Sequence, residues 1–219
     1  MQTAEDRTQW VYHARDGNIA ELQTALDRGV HIDLRDREGL AALHWAAGHN
    51  KVHAVRFLIE RKATVDLPTN VGWTALHHAC SHGRVETAQI LLEYGADVDR
   101  TATEGETPLM VVAQFKQGPM CAELLLKHNA DASLRGTRGK YKDKTALDIA
   151  SHFKLGDIVT LLSTQRAPAV SIHYAAEKGD VERLTQLLKD ERTDVDLLGP
   201  NDWTPLICAA CVGQLAAVK

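Results

Sequence analysis

Residues 71–99 read VGWTALHHACSHGRVETAQILLEYGADVD, and this stretch decides the fold. Gly72 sits where a tight turn asks for an unhindered backbone. Thr74 brings a hydroxyl to a helix start, where main-chain N–H groups lack intrahelical acceptors. Leu76, Ala79 and Cys80 are small or apolar and share one face of a short first helix, which Gly83 ends. Val85, Ala88, Ile90, Leu91 and Leu92 form the apolar face of a second helix, which Gly95 ends. ADVD then carries the chain onward. Each such unit is a helix, a turn, a helix and a projecting loop. Neither helix can bury its apolar face alone, so the units must stack.

The unit recurs along the chain. Positions equivalent to Thr74 are Thr8, Ala41, Thr107, Thr145, Val170 and Thr204, so successive intervals are 33, 33, 33, 38, 25 and 34 residues. Related stretches are GLAALHWAA at Gly39–Ala47, GWTALHHAC at Gly72–Cys80, GETPLMVVA at Gly105–Ala113 and DWTPLICAA at Asp202–Ala210. YGADVD at Tyr94–Asp99 and HNADAS at His128–Ser133 supply matching tails. Period and pattern together resemble the ankyrin repeat, with its G-x-T-P-L-H-x-A-A opening and L-L-x-x-G-A-D-V-(N/D) close. The resemblance covers nearly the whole chain. It implies an all-α ankyrin-repeat solenoid of stacked helix-turn-helix units with projecting hairpin loops, six units full and a seventh partial.

Departures from the pattern carry information. The first unit keeps only Thr8 of the opening signature and has Trp10 at the Leu position, as a partly polar N-terminal cap would. The fourth unit has an extra residue around Gln117–Pro119, and the loop before the fifth is five residues longer than the period. The fifth unit lacks a GAD tail, and STQRAPAV replaces its loop. Three segments are therefore expected: a first block over 1–163, a joint over 164–170 and a second block over 171–219. The seventh unit stops at Lys219, early in its second helix. A stack needs a polar capping repeat, so the sequence reads as a fragment of a longer chain.

Composition narrows the function. The 219 residues are 44% apolar and 25% charged, a folded mix. Lys plus Arg is 25 against 29 Asp plus Glu, a net charge of −4. Nucleic-acid binding ordinarily asks for a basic excess, so no nucleic-acid partner is expected. The longest apolar run, Leu109–Ala113, is far short of the roughly 20 residues that span a bilayer. The four cysteines are too scattered for a disulfide scaffold. A monomer in the cytoplasm, or the nucleus, is expected.

Catalytic and metal motifs are weak. His78 and His82 flank Cys80 on one helix, but His77 occupies the family's L-H position, where the resemblance implies a structural hydrogen-bonding role. Cys208 and Cys211 form a C-x-x-C without the further ligands a zinc site wants or the βαβ context of a redox pair. In the long loop, Gly136 and Gly139 are too close for a P-loop. No nucleophile stands beside a base at a defensible spacing. No catalytic residue, metal or cofactor is expected.

The resemblance implies protein or peptide recognition through loop tips and the exposed ends of first helices. The loop positions are Leu40, Trp73, Glu106, Lys144 and Trp203. The helix-end row includes His49, His82, Phe115, His152 and Phe153. Trp73, His82, Phe115 and Phe153 fall on one face of three adjacent units, and exposed aromatic side chains make good anchors. The same rings would also serve as packing between repeats, and the residues leave both readings open. Trp45 and Tyr174 follow the L-H pair and read as structural.

A second candidate is LRGTRGKYKDK, where Arg138, Lys140, Lys142 and Lys144 alternate. In an extended hairpin all four would point one way and would attract an acidic peptide, phosphate or lipid headgroup. The residue pattern favours a solvated loop over this comb. The leading function is an adaptor or scaffold that binds a partner on a concave loop and first-helix surface. The alternatives are the targeting arm of a larger enzyme or channel, and anionic lipid or phosphate binding through residues 135–144.

Overall fold

A computed structural model of the chain describes residues 4–164 and, past them, residues 176, 184, 185, 204, 206 and 207. Packing divides the chain into two compact units, residues 1–162 and 163–219. The expected joint and second block, with Tyr174, Trp203, Cys208 and Cys211, lie outside the described residues.

The first unit consists of helical pairs: α1 (Ala4–Asp16) with α2 (Ile19–Asp27), α3 (Ala42–Gly48) with α4 (Val52–Glu60), and α5 (Ala75–Ser81) with α6 (Val85–Glu93). They continue as α7 (Pro108–Val112) with α8 (Pro119–Lys127), and α9 (Ala146–His152) with α10 (Gly156–Thr164). First helices pack in one row, α1 on α3, α3 on α5, α5 on α7 and α7 on α9. Second helices make another, α2 on α4, α4 on α6 and α6 on α8. No strand occurs among the described residues; pairing is limited to isolated bridges, Arg35 with Ala41 and Gly136 with Lys142. The fold is an all-α repeat solenoid.

The period fixes the core. Trp10, Leu43, Leu76 and Leu109, each 33 residues from the next, are all buried. The larger Trp10 takes the Leu position at the end of the row. Leu58, Leu91 and Leu125 do the same for the second helices. Each such burial contributes on the order of 2 kcal/mol. Small residues between them (Ala46, Ala47, Ala79, Ala113) let the first helices approach closely, and all four are buried.

The loops are also stacked rather than free. Gly72 has φ +80°, and a Cβ there would stand 2.6 Å from the amide of Thr103 in the next loop. Gly105 has the same φ, and its Cβ would meet the Thr137 amide at 2.5 Å. Thr103 N–H donates to Val71 O at 3.1 Å, and Arg138 N–H to Glu104 O at 2.9 Å. A carboxylate ladder runs alongside. Asp33 accepts from Thr64 N–H (3.0 Å) and its hydroxyl (2.6 Å), Asp66 from Asp97 N–H (3.1 Å), and Asp99 from Asp131 N–H (2.9 Å). The three aspartates are 33 residues apart, so each ties its loop to the next repeat.

In the fourth unit α7 stops at Val112, five residues long, and residues 113–118 fill the gap before α8. Gln117 Nε2 reaches back to Ser81 O at 3.3 Å. The insertion is thus absorbed at the turn, and both helices keep their places in the rows.

Candidate functional site

The helix starts on the recognition side are held by imidazoles. His77 Nε2 meets Glu106 O at 3.2 Å, and a carbonyl only accepts, so Nε2 carries the hydrogen. Nδ1 is then a lone pair, and accepts from Thr74 N–H (3.1 Å) and the Thr74 hydroxyl (2.9 Å). The Thr74 hydroxyl does not cap a helical N–H as expected from the sequence, because the His77 ring claims it. Thr107 and Thr145, with Met110 and Asp148 at the His77 position, do accept those N–H groups. His44 repeats the arrangement, accepting from Ala41 N–H at 3.0 Å and donating to Leu67 O at 2.8 Å. Burial lowers the His44 pKa and pushes that of His77 down to about 4.

His78 stands edge-on to His44 (centroids 5.5 Å apart) and to Trp73 (5.2 Å). Its Nε2 is buried without a partner among the described residues. Burial and the neighbouring imidazoles push its pKa down to about 3. Trp73, half-buried, also stacks on His77 at 6.0 Å. Trp45 is half-buried, with its indole N–H on Asp36 Oδ2 at 2.9 Å and its ring stacked on His49.

At the helix ends, His49 and His82 are exposed, and each Nδ1 donates to the carbonyl four residues back, of Trp45 and His78, at 3.0 Å. Phe115 is half-buried, whereas His152 and Phe153 are exposed and meet edge-to-face at 5.1 Å. At the loop positions Leu40 and Glu106 are half-buried and Lys144 exposed; Trp203 lies outside the described residues. Glu106 accepts from Gln114 Nε2 at 3.3 Å, and Gln114 Oε1 accepts from the Tyr141 hydroxyl at 3.1 Å. That relay, from the fourth unit to the long loop, was not read from the sequence; neither residue type marks it.

The long loop is not an extended hairpin, so Arg138, Lys140, Lys142 and Lys144 form no one-sided comb. Gly139–Tyr141 is a short 3-10 turn, which breaks the alternation of side chains. Lys140 Nζ instead lies over the rings of Tyr141 (4.9 Å) and Phe153 (5.1 Å). Tyr141 is buried, and Arg138, Lys142 and Lys144 are exposed. Just past Phe115 and Phe153, Lys116 and Lys154 line a cavity of about 230 Å³ with Leu155 and Asp157.

Cys80 and Cys121 are buried free thiols. Contact with Cys121, together with burial, pushes the Cys80 thiol pKa well up. Among the described residues no group of three His, Cys, Asp or Glu is placed to hold a metal ion, and His78 faces His44 and Trp73. No described helix is long and apolar enough to cross a membrane.

Comparison with known proteins agrees with this geometry. A family model described as ankyrin repeats (3 copies) matches residues 10–102, and one described as ankyrin repeat matches residues 104–137. A stretch of 57 residues, 26% of the chain, is 39% identical to the palmitoyltransferase AKR1 of Yarrowia lipolytica. That stretch spans 8% of the length of the palmitoyltransferase.

Proposed function

The chain belongs to the ankyrin-repeat family, whose repeats are protein-interaction modules and not catalytic ones, and we propose that it is an adaptor or scaffold that captures a protein partner. The partner lies across the loop tips and first-helix ends, with Trp73, His82, Phe115 and Phe153 as its central contacts. One observation carries this reading. The buried faces of the first helices are locked by Leu43, Leu76 and Leu109, and the row His49, His82, Phe115 and Phe153 at their far ends keeps accessible surface. A preformed surface binds with little ordering cost. Leu40, Glu106, Lys144, His152 and Trp203 flank that row. The adaptor works in the cytoplasm or nucleus, as a monomer.

Affinity capture from cells with the wild-type chain and a Trp73→Ala/Phe115→Ala variant tests the reading. Partners lost by the variant, with unchanged helicity and melting, support it. Equal capture, or a large loss of helicity, sinks it.

A second reading is favoured by the palmitoyltransferase match: the repeats serve as the targeting arm of a larger enzyme. The intact mass of the native protein separates the two, since an arm travels with its enzyme domain.

A further inference from the structure

Residues 135–144 hold five cations, Arg135, Arg138, Lys140, Lys142 and Lys144, against one carboxylate, Asp143, in a chain whose net charge is −4. Arg135 is engaged, donating to Asp143 O at 2.6 Å and standing 3.8 Å from Asp148. Arg138, Lys142 and Lys144 are exposed and lie in none of the ion pairs found among the described residues, which are Arg15–Asp16, Arg56–Glu93 and Arg135–Asp148. Lys140 joins this loop to the end of α9 by lying over both Tyr141 and Phe153. Beyond Phe153, Lys154 and Lys116 continue the cationic strip.

We infer that this strip, from Lys144 through Lys140 and Phe153 to Lys154, takes an extended acidic peptide that carries an apolar side chain against Phe153. The inference rests on the protein-binding reading above and names the chemistry of the partner. Three features select this occupant. The charge is opposite to that of the chain as a whole, so an acidic segment is drawn to this end and repelled elsewhere. Lys140 is positioned over the aromatic rings before any partner arrives, which lowers the ordering cost of the contact. Phe153 is exposed beside the cation, so acidic and apolar groups are met together.

A membrane surface fits less well. Insertion needs an apolar residue free at the loop tip. The loop's own aromatic, Tyr141, is 9% exposed and its hydroxyl is held by Gln114.

The test uses a fluorescein-labelled heptapeptide of Asp and Glu with one central Phe, its amide counterpart of Asn and Gln with the same Phe, and phosphatidylserine vesicles, each titrated with the full chain. The acidic peptide is expected to bind, and to weaken as salt rises from low to moderate strength. Lys140→Gln/Lys142→Gln/Lys144→Gln is expected to weaken it about tenfold, and Phe153→Ala to weaken it with no change in salt dependence. Unchanged melting of both variants shows that the fold is intact. The inference is overturned if the amide peptide binds equally, if the acidic peptide does not bind, or if vesicles but not peptide are captured. Cellular partner capture that depends on Trp73 and Phe115, without binding of the acidic peptide, would overturn this inference and leave the adaptor reading standing.

Discussion

The ring of His77 joins its own helix start to the next repeat: Nδ1 accepts from Thr74 N–H, and Nε2–H donates to Glu106 O, 29 residues on, at 3.2 Å. One side chain thereby caps a helix and fixes the spacing between adjacent loops. His44 does the same between the second and third units through Leu67 O. Coupling of this kind makes a stack of short helices cooperative, because none of the seven-residue first helices would persist alone.

Replacing His77 by Ala removes both bonds and leaves a buried carbonyl and a buried N–H without partners. The expected loss is about 2–3 kcal/mol, read as a lower urea midpoint. His77→Ala at the wild-type midpoint would show that the inter-repeat bond contributes nothing.

Gly105→Val tests the stacking of loops. The backbone there has φ +80°, and an added Cβ would meet the main chain and side chain of Thr137. Main chain cannot move aside as a flexible side chain does. We expect a loss of about 2 kcal/mol or more. Gly95→Ala, at φ +85° with nothing within 4 Å, carries only the conformational part and should lose about 1 kcal/mol. Equal losses in thermal melts would show that the loops do not press on one another.

The contrast between these two glycines bears on what the sequence reveals. The period, the buried leucines and the helix ends were legible because burial and glycine conformation recur every 33 residues. The inter-repeat bonds were less legible. Asp33, Asp66 and Asp99 also recur at 33, but their acceptor role depends on amides 31 or 32 residues away, which no local pattern marks. At the long loop, alternation of Arg138, Lys140, Lys142 and Lys144 implied a comb only for an extended backbone. The two glycines that flank the first cations permit tighter turns, and the attraction of Lys140 for the Tyr141 and Phe153 rings is a tertiary contact. The aromatic row was legible as positions on a face. The packing of Trp73 over His77 and His78 was not, since it depends on the rotamers of all three rings.

Asp66→Ala probes the ladder at its middle rung. Its carboxylate accepts from the Asp97 amide, and burial raises its pKa, so the bond is made against a desolvation cost. We expect a modest loss of about 1 kcal/mol, seen in the urea midpoint. Asp66→Asn retains an acceptor oxygen and should recover most of it. If Asn is as damaging as Ala, charge and not the hydrogen bond holds the rung.

Stability should fall on the acid side because of the buried imidazoles. His77 has its pKa pushed down to about 4 and His78 to about 3, against an ordinary 6.5, and burial leads both shifts. Between these values the unfolded chain binds protons that the folded chain refuses. Unfolding is therefore favoured as pH drops below about 6.5, with a limiting slope of about 1.4 kcal/mol per pH unit for each group. The Asp66 carboxyl, with its raised pKa, opposes this only near pH 4, whereas Asp148, lowered by its bond from the Thr145 amide, adds to the loss there. Urea midpoints should be flat from pH 7.5 to 6.5 and fall steadily to pH 4.5. His78→Leu isolates one contribution. Its Nε2 has no partner to lose among the described residues, so the substitution should stay within about 1 kcal/mol of wild type at pH 7.5. It should also be visibly less acid-sensitive. An acid slope as steep in His78→Leu as in the wild type would show that this ring protonates freely in the folded chain, and that its place between His44 and Trp73 does not keep it neutral.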